Sequence, residues 1–153
     1  MQVRRYDHAD RAEVMHLHRV ALEAVGAYLG PGPWDADLDD IGASYLRAGG
    51  EFLVGVIDEA VVAMGGLRRI DDTTAELKRM RVSIDVQGQG LGRAMLRGLD
   101  SRAAALGFRT LVLDTSHRQL AALALYRSEG YLHTGDGEIA GLPVLYFRKE
   151  LTS

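Results

Sequence analysis

Three glycines spaced two apart, in Gln87-Gly88-Gln89-Gly90-Leu91-Gly92, stand where a strand-like run gives way to a helical one. Upstream, the apolar residues between Ala75 and Ile84 alternate; downstream, Leu91, Met95, Leu99, Ala103 and Leu106 recur at helical spacing. Such a turn can aim several unpaired backbone N–H groups at one point, and the helix adds the positive end of its dipole. The chemistry that suits it is the binding of an anion such as a diphosphate. Two common phosphate motifs fail. The dinucleotide fingerprint needs glycine at its first, third and sixth positions, but the sixth residue counted from Gly88 is Arg93 and from Gly90 is Met95. The P-loop needs Gly-Lys followed by Ser or Thr, a run this chain lacks.

The elements that must carry this turn are legible around it. Residues near 2–7 read as a strand, and Asp10 to about Tyr28 as a helix with Val14, Leu17, Ala21, Leu22 and Val25 on one side. Leu29-Gly30-Pro31-Gly32-Pro33 breaks it. Asp37 to Arg47 reads as a second helix ending at Gly49-Gly50, and residues 51–58 and 60–70 as a hairpin around Asp58-Glu59. After the glycine turn and its helix, Gly107 is placed to terminate that helix, and Thr110 to Asp114 is a β-rich run. A short helix from Gln119 to Tyr126 stops at Gly130, Tyr131-Leu132 resumes an extended run, and Val144 to Leu151 is a final strand. The order is α/β or α+β with a mostly antiparallel front half.

The 153 residues suit one domain, enough to bury roughly two-thirds of the unfolded surface. Apolar residues make up 47% and charged residues 25%, the balance of a globular protein rather than a disordered one. No apolar run approaches the roughly 20 residues of a membrane span, and Met1 to Tyr6 has no apolar leader core. A soluble, cytoplasmic protein is the expectation, with no membrane partner. A net charge of −3 provides no basic footprint for nucleic acid. With no cysteine, disulfides, thiolate metal sites and a cysteine nucleophile are excluded. His16 and His18 diverge on their helix, so no metal is expected there.

Gln87-x-x-Gly90-x-Gly92 with Arg93 next, following a strand that ends in Met80-Arg81-Val82, resembles the acyl-coenzyme-A motif of the GCN5-related N-acetyltransferases (GNAT). A second segment is similar too: Ala122, Leu125, Tyr126, Gly130 and Tyr131 fill the places of the family's Asn-x-x-Ala-x-x-Leu-Tyr and Gly-Phe, with Gln119 standing where Asn is usual. The two segments cover about half of the chain. The resemblance implies one N-acetyltransferase domain over residues 1–153, with a mixed central sheet whose strands at 75–84 and 110–114 splay apart and bind pantetheine as an added strand would. It also implies acetyl-coenzyme A as co-substrate, held by Met80, Arg81, Val82, Gln87, Gly88, Gln89, Gly90, Leu91, Gly92, Arg93 and Gln119. Arg97, one helical turn after Arg93, is a weaker candidate.

Acetyl transfer needs an unprotonated amine, a polarised carbonyl and a proton for the departing thiolate. By resemblance, Tyr126 supplies that proton, its phenol of pKa about 10 suiting an alkyl thiolate, and a backbone N–H at Met80, Arg81 or Val82 polarises the carbonyl. Two bases stay open. Glu76 lies on the strand where related enzymes often carry a glutamate, and strand alternation puts it on one face with Lys78 and Met80. Asp114, five residues before Gln119, sits where ribosomal-protein alanine acetyltransferases of the family carry a catalytic glutamate. The blander readings are a salt-bridged strand carboxylate for Glu76, a turn former for Asp114 and a core tyrosine for Tyr126.

The acceptor pocket, by resemblance, draws on residues 28–38 and 135–143, with Tyr28 and Trp34 as an apolar wall. The acidic run Asp35, Asp37, Asp39 and Asp40 suits a cationic amine, or else simply offsets a helix dipole. Three functions follow: transfer to a small polar or amino-acid-like amine in a ternary complex, transfer to a protein N-terminus or lysine, or a coenzyme-A-binding sensor without turnover. A homodimer is expected from the resemblance alone.

Overall fold

The computed structural model describes residues 1–151. Seven strands and three helices follow one another as β1 (Gln2–Arg5), α1 (Arg11–Ala24), β2 (Glu51–Ile57), β3 (Ala60–Arg69), β4 (Thr74–Val82), α2 (Leu91–Ala105), β5 (Thr110–Ser116), α3 (Leu120–Ser128), β6 (Leu132–Ile139) and β7 (Leu142–Glu150). They form one open sheet in the order β1-β2-β3-β4-β5-β7-β6. Every neighbouring pair is antiparallel except β4 and β5, which run parallel and pair only at Thr74↔Thr110, Ala75↔Leu111 and Glu76↔Val112. Beyond Glu76 and Val112 the two strands part, which is the splay the resemblance implies.

A core lies on each face of the sheet. On one, Met95, Leu96, Leu99 and Ala103 of α2 and Leu123 and Tyr126 of α3 pack on Ala75, Leu77, Leu111 and Leu113. On the other, Val14 and Leu17 of α1, with Leu38, Ile41 and Tyr45, cover Phe52, Val54 and Met64. Period-two alternation explains how β4 feeds both faces as far as Lys78. There a bulge intervenes: Gly65 alone, between Met64 and Gly66, opposes both Arg79 and Met80, and Arg79 takes φ 62°. Gly65 permits the close approach, since a Cβ there would lie 2.6 Å from Leu99 Cδ1 and 3.1 Å from the Met80 sulfur. The bulge resets the alternation, so Met80 and Val82 join Ala75 and Leu77 on the α2 face. The expectation that Glu76, Lys78 and Met80 share a face therefore fails.

Three other expectations are corrected. The first helix ends at Ala24 rather than near Tyr28, because Gly26, at φ 68°, turns the chain away before the proline segment. The helix expected over residues 37–47 is instead a 3₁₀ run, Pro33–Asp40, followed by one π turn, Gly42–Leu46. Asp37, Asp39, Asp40 and Gly42 favour helix weakly, and tertiary ion pairs decide the path of the segment. The last strand starts at Leu142, with Pro143 inside it; β5 is paired only from Val144 onward, so the missing proline N–H breaks no ladder on that side. Elsewhere the readings hold: Gly107, at φ 92°, follows the Leu106 cap of α2, and the 51–57/60–69 hairpin turns at Asp58 and Glu59. Among the described residues no helix is long and apolar enough to cross a membrane.

Candidate active site

The glycine turn is built as its sequence requires. Gly88 and Gly90 take φ 81° and 79°, the left-handed region that glycine enters without strain, and a Cβ on either would meet nothing within 4 Å. Gly90 is the N-cap of α2 and has no side-chain cap, so the first-turn N–H groups of Leu91, Gly92 and Arg93 have no partner from within the helix. Open space over uncapped amides is the cradle that a diphosphate needs.

A cleft of about 280 Å³ runs from this turn between β4 and α3, with Met80, Arg81 and Val82 on one wall and Gln119, Ala122 and Tyr126 on the other. Gln87, Gly88, Gly90, Leu91 and Gly92 line it, and Ala21 of α1 and Val25 just beyond that helix close its side. Gln89 does not line it. Arg93 turns its guanidinium to Glu129 at 2.8 Å and donates to Ser128 Oγ at 3.0 Å, and Arg97 also pairs with Glu129; neither side chain lines the cleft. In the gap between β4 and β5 the cleft continues into a cavity of about 110 Å³, bounded by Arg81, Asp114, Gln119 and Tyr126. This opens on a third space of about 200 Å³ whose walls include Tyr28, Trp34, Lys78, Arg79, Ile139 and Leu142. Gln119 and Arg81 line all three, and Asp114 and Ser116 of β5 line the second and third.

Tyr126 is buried, its ring tilted against Tyr131 and Phe147 at centroid distances of 5.7 and 6.3 Å, and it faces both the cleft and the gap. Burial pushes its phenol up to about 12 despite the opposing pull of Arg81. Asp114 lines the gap and the third space. Burial first, then the neighbouring Glu76 carboxylate, raises its pKa, with Lys78 and Arg79 opposing. Glu76 itself accepts from Arg68 at 3.1 and 2.8 Å and lines none of the three spaces. The structure thus brings Tyr126, Asp114, Gln119 and the Met80–Val82 backbone together and leaves Glu76 behind Asp114.

The acidic run divides: Asp35 and Asp37 turn inward, and Asp39 and Asp40 are exposed. Asp35 accepts from His18 Nε2 at 3.1 Å and pairs with Arg79 at 3.3 Å; Asp37 accepts from Arg79 Nε at 3.1 Å and from the Tyr45 hydroxyl; Asp40 pairs with Arg47. The Asp39 carbonyl accepts from Arg11. The Arg79 pairs bind the 33–40 segment to β4 and neutralise the Asp35 and Asp37 carboxylates. His18 is buried and neutral: burial, then the Arg81 charge, lowers its pKa to about 4. The feature the sequence concealed is the Arg81 side chain. Once the bulge has reset β4, Arg81 lines all three spaces, and its buried Nε has no partner. Among the described residues, no group of three or more His, Cys, Asp or Glu side chains gathers as metal ligands.

A seven-stranded mixed sheet parted between its two parallel strands, with an uncapped glycine turn at one end of the gap, defines an acyltransferase of the coenzyme-A-binding kind in outline. The profile of the Acetyltransferase (GNAT) family matches residues 11–131, and the chain belongs to that family. Human N-acetyltransferase 8B is 39% identical over an alignment of 105 residues that covers 65% of this chain and 46% of that protein; the chain thus spans about half the length of this curated relative. A GNAT-family acetyltransferase from Staphylococcus aureus superposes with a TM-score of 0.90 over 99% of both chains at 17% identity. A GNAT superfamily phosphinothricin acetyltransferase from Sinorhizobium meliloti, solved in complex with AcCoA, gives 0.78 over 98% of this chain and 88% of that one at 20% identity.

Proposed function

We propose that this chain transfers an acetyl group from acetyl-coenzyme A to the primary amine of a small molecule, directly and within a ternary complex. The observation that carries the reading is the continuous path from the uncapped Gly90 turn, past Tyr126 and Asp114, to a separate space walled by Tyr28 and Trp34. Acetyl-coenzyme A supplies an activated acetyl thioester. The N–H groups of Leu91 to Arg93 hold its diphosphate, and the β4 backbone beyond Lys78, free of β5, pairs with its pantetheine arm. Backbone N–H at Met80 to Val82 polarises the carbonyl. Asp114, rather than Glu76, takes the proton from the amine, because its raised pKa brings it closer to the operating pH and no cation holds it. Tyr126 Oη gives a proton to the departing sulfur; as the new C–N bond forms and the C–S bond breaks, solvent returns the proton from Asp114 to Tyr126. Arg93 enters through its backbone, and Gln119 through the side chain it does not spend on capping α3.

The small acceptor is favoured over a protein N-terminus or lysine by the size of the third space, about 200 Å³, set between residues 28–35 and the residues flanking the β6–β7 turn. A cytoplasmic location belongs to the same proposal, as does a homodimer through the outer edge of β6, where Leu132 is exposed. The test is thiol release from acetyl-coenzyme A across an amine library and a set of short peptides, with calorimetry of coenzyme A alone. Release with small amines only is expected. Release with peptides only would move the assignment to a protein acceptor, tight binding without release to a sensor, and absence of binding would remove the proposal.

A further inference from the structure

The charge lining the acceptor space is unbalanced, and the imbalance has a location. Lys78, Arg79 and Arg81 face that space against Asp35 and Asp114. Asp35 is already committed to Arg79 and His18, and Arg79 is further committed to Asp37. Among the described residues neither Lys78 nor Arg81 takes part in an ion pair, although the ion pairs along β4 satisfy Glu76 and Arg79 on either side. Arg81 is the more telling of the two. Its Nη1 donates to the Met80 carbonyl at 2.8 Å, while its buried Nε donates to nothing. His18 beside it is neutral, and its Nδ1 is also buried without a partner. A planar guanidinium withdrawn from water and left without an anion is unfavourable unless a ligand completes it. Its fork of N–H donors matches a carboxylate bidentately.

We infer that the acceptor is an amino-carboxylate, and that Arg81 binds its carboxylate while the amine lies toward Asp114 and the gap between β4 and β5. This deepens the proposed function and rests on it. Lys78, on the same face of the space, supplies a second and longer-range attraction for the anion. The arrangement gives each end of the acceptor its own counterpart: a cation for the carboxylate and the unpaired Asp114 for the amine. Arg81 is a specificity-determining residue, and the proton transfers do not pass through it.

The experiment compares matched acceptors that differ only as carboxylate and carboxamide, such as the common amino acids and their amides, in thiol release by wild type, Arg81→Met and Arg81→Lys. Acetyl-coenzyme A affinity and thermal unfolding are measured on each variant. The expected result is a wild-type preference for the acid on the order of 30-fold or more in kcat/KM. That preference should vanish in Arg81→Met through KM and be only partly restored in Arg81→Lys, with acetyl-coenzyme A affinity unchanged. The inference is overturned if wild type prefers the amides, if the preference survives in Arg81→Met, or if acetyl-coenzyme A binds and only amines without a carboxylate turn over. It is equally overturned if Arg81→Met weakens acetyl-coenzyme A while leaving acceptor preference intact, since the guanidinium would then belong to the co-substrate. A wild-type protein that binds no acetyl-coenzyme A would instead bring down the function on which the inference stands.

Discussion

Removing the Asp37 carboxylate should destabilise the protein and loosen the acceptor site together. Asp37 and Arg79 are largely withdrawn from solvent, at 14% and 13% side-chain exposure, and Asp37 also accepts from the Tyr45 hydroxyl in the core. Burial works to raise the Asp37 carboxyl, but Arg79 and Tyr45 outweigh it and hold it below the usual range. Asp37→Ala leaves a buried guanidinium short of one partner and a buried phenol without its acceptor. Breaking one side of such a pair costs about 3–5 kcal/mol. Asp35 remains at 3.3 Å from Arg79, which places the expectation at the lower end, about 3 kcal/mol. With a urea m-value of about 2 kcal/mol/M, the unfolding midpoint should fall by roughly 1.5 M. Because the folded carboxyl is depressed, its contribution is full above the unfolded value near 4 and is lost as pH falls through the folded one, so the gap between wild type and variant should close in acid. Paired replacement, Asp37→Leu with Arg79→Leu, should cost less than Asp37→Ala alone, since no unpaired charge stays buried. A midpoint shift under about 0.3 M at neutral pH, or a double variant weaker than the single one, would refute the claim that this pair anchors the 33–40 segment to β4.

Three shorter predictions concern the chemistry. Tyr126→Phe should lower kcat by about 10²-fold or more with acetyl-coenzyme A affinity intact, and a wild-type rate would take the phenol out of the mechanism. Because Glu76 raises the Asp114 pKa, Glu76→Gln should shift the acid limb of the kcat/KM profile to lower pH, whereas Asp114→Asn should abolish that limb along with most of the rate; an unmoved limb in Glu76→Gln would count against Asp114 as the base. Gly90→Val forces a β-branched residue to φ 79° and fills the cradle, so calorimetry should show coenzyme A binding lost while the circular dichroism of the helices survives.

The parts of this fold that were readable from sequence are those where local pattern and tertiary demand agree. The glycine turn, α2, its Gly107 stop and the 51–69 hairpin each carry their own punctuation, and each lies where it was expected. The misreadings share a cause. Alternation along β4 was extrapolated through Arg79, but a bulge is dictated by the strand opposite, where Gly65 admits the extra residue, and nothing in residues 76–80 announces it. The same reset hid the Arg81 side chain, which had been singled out only for its backbone. Residues 37–47 read as a helix in isolation, while the path of the 33–46 segment depends on Arg79, His18 and Tyr45, partners remote in sequence or invisible as partners without coordinates. Arg93 was placed with the phosphates by proximity, and Glu129, brought near by the packing of α3 on α2, holds its charge instead.

Across the sheet, the panel of β1 to β4 is stitched to the panel of β5, β7 and β6 at three residue pairs only, 74 with 110, 75 with 111 and 76 with 112. Whatever fills the space beyond acts as a further rung between the panels, so an occupant there is a structural member as well as a reactant. Amide exchange in the far ends of β4 and β5 should slow when coenzyme A is present, and the melting temperature should climb with its concentration. Loss of the ligand after each turnover would then unclasp the same seam that its arrival had closed.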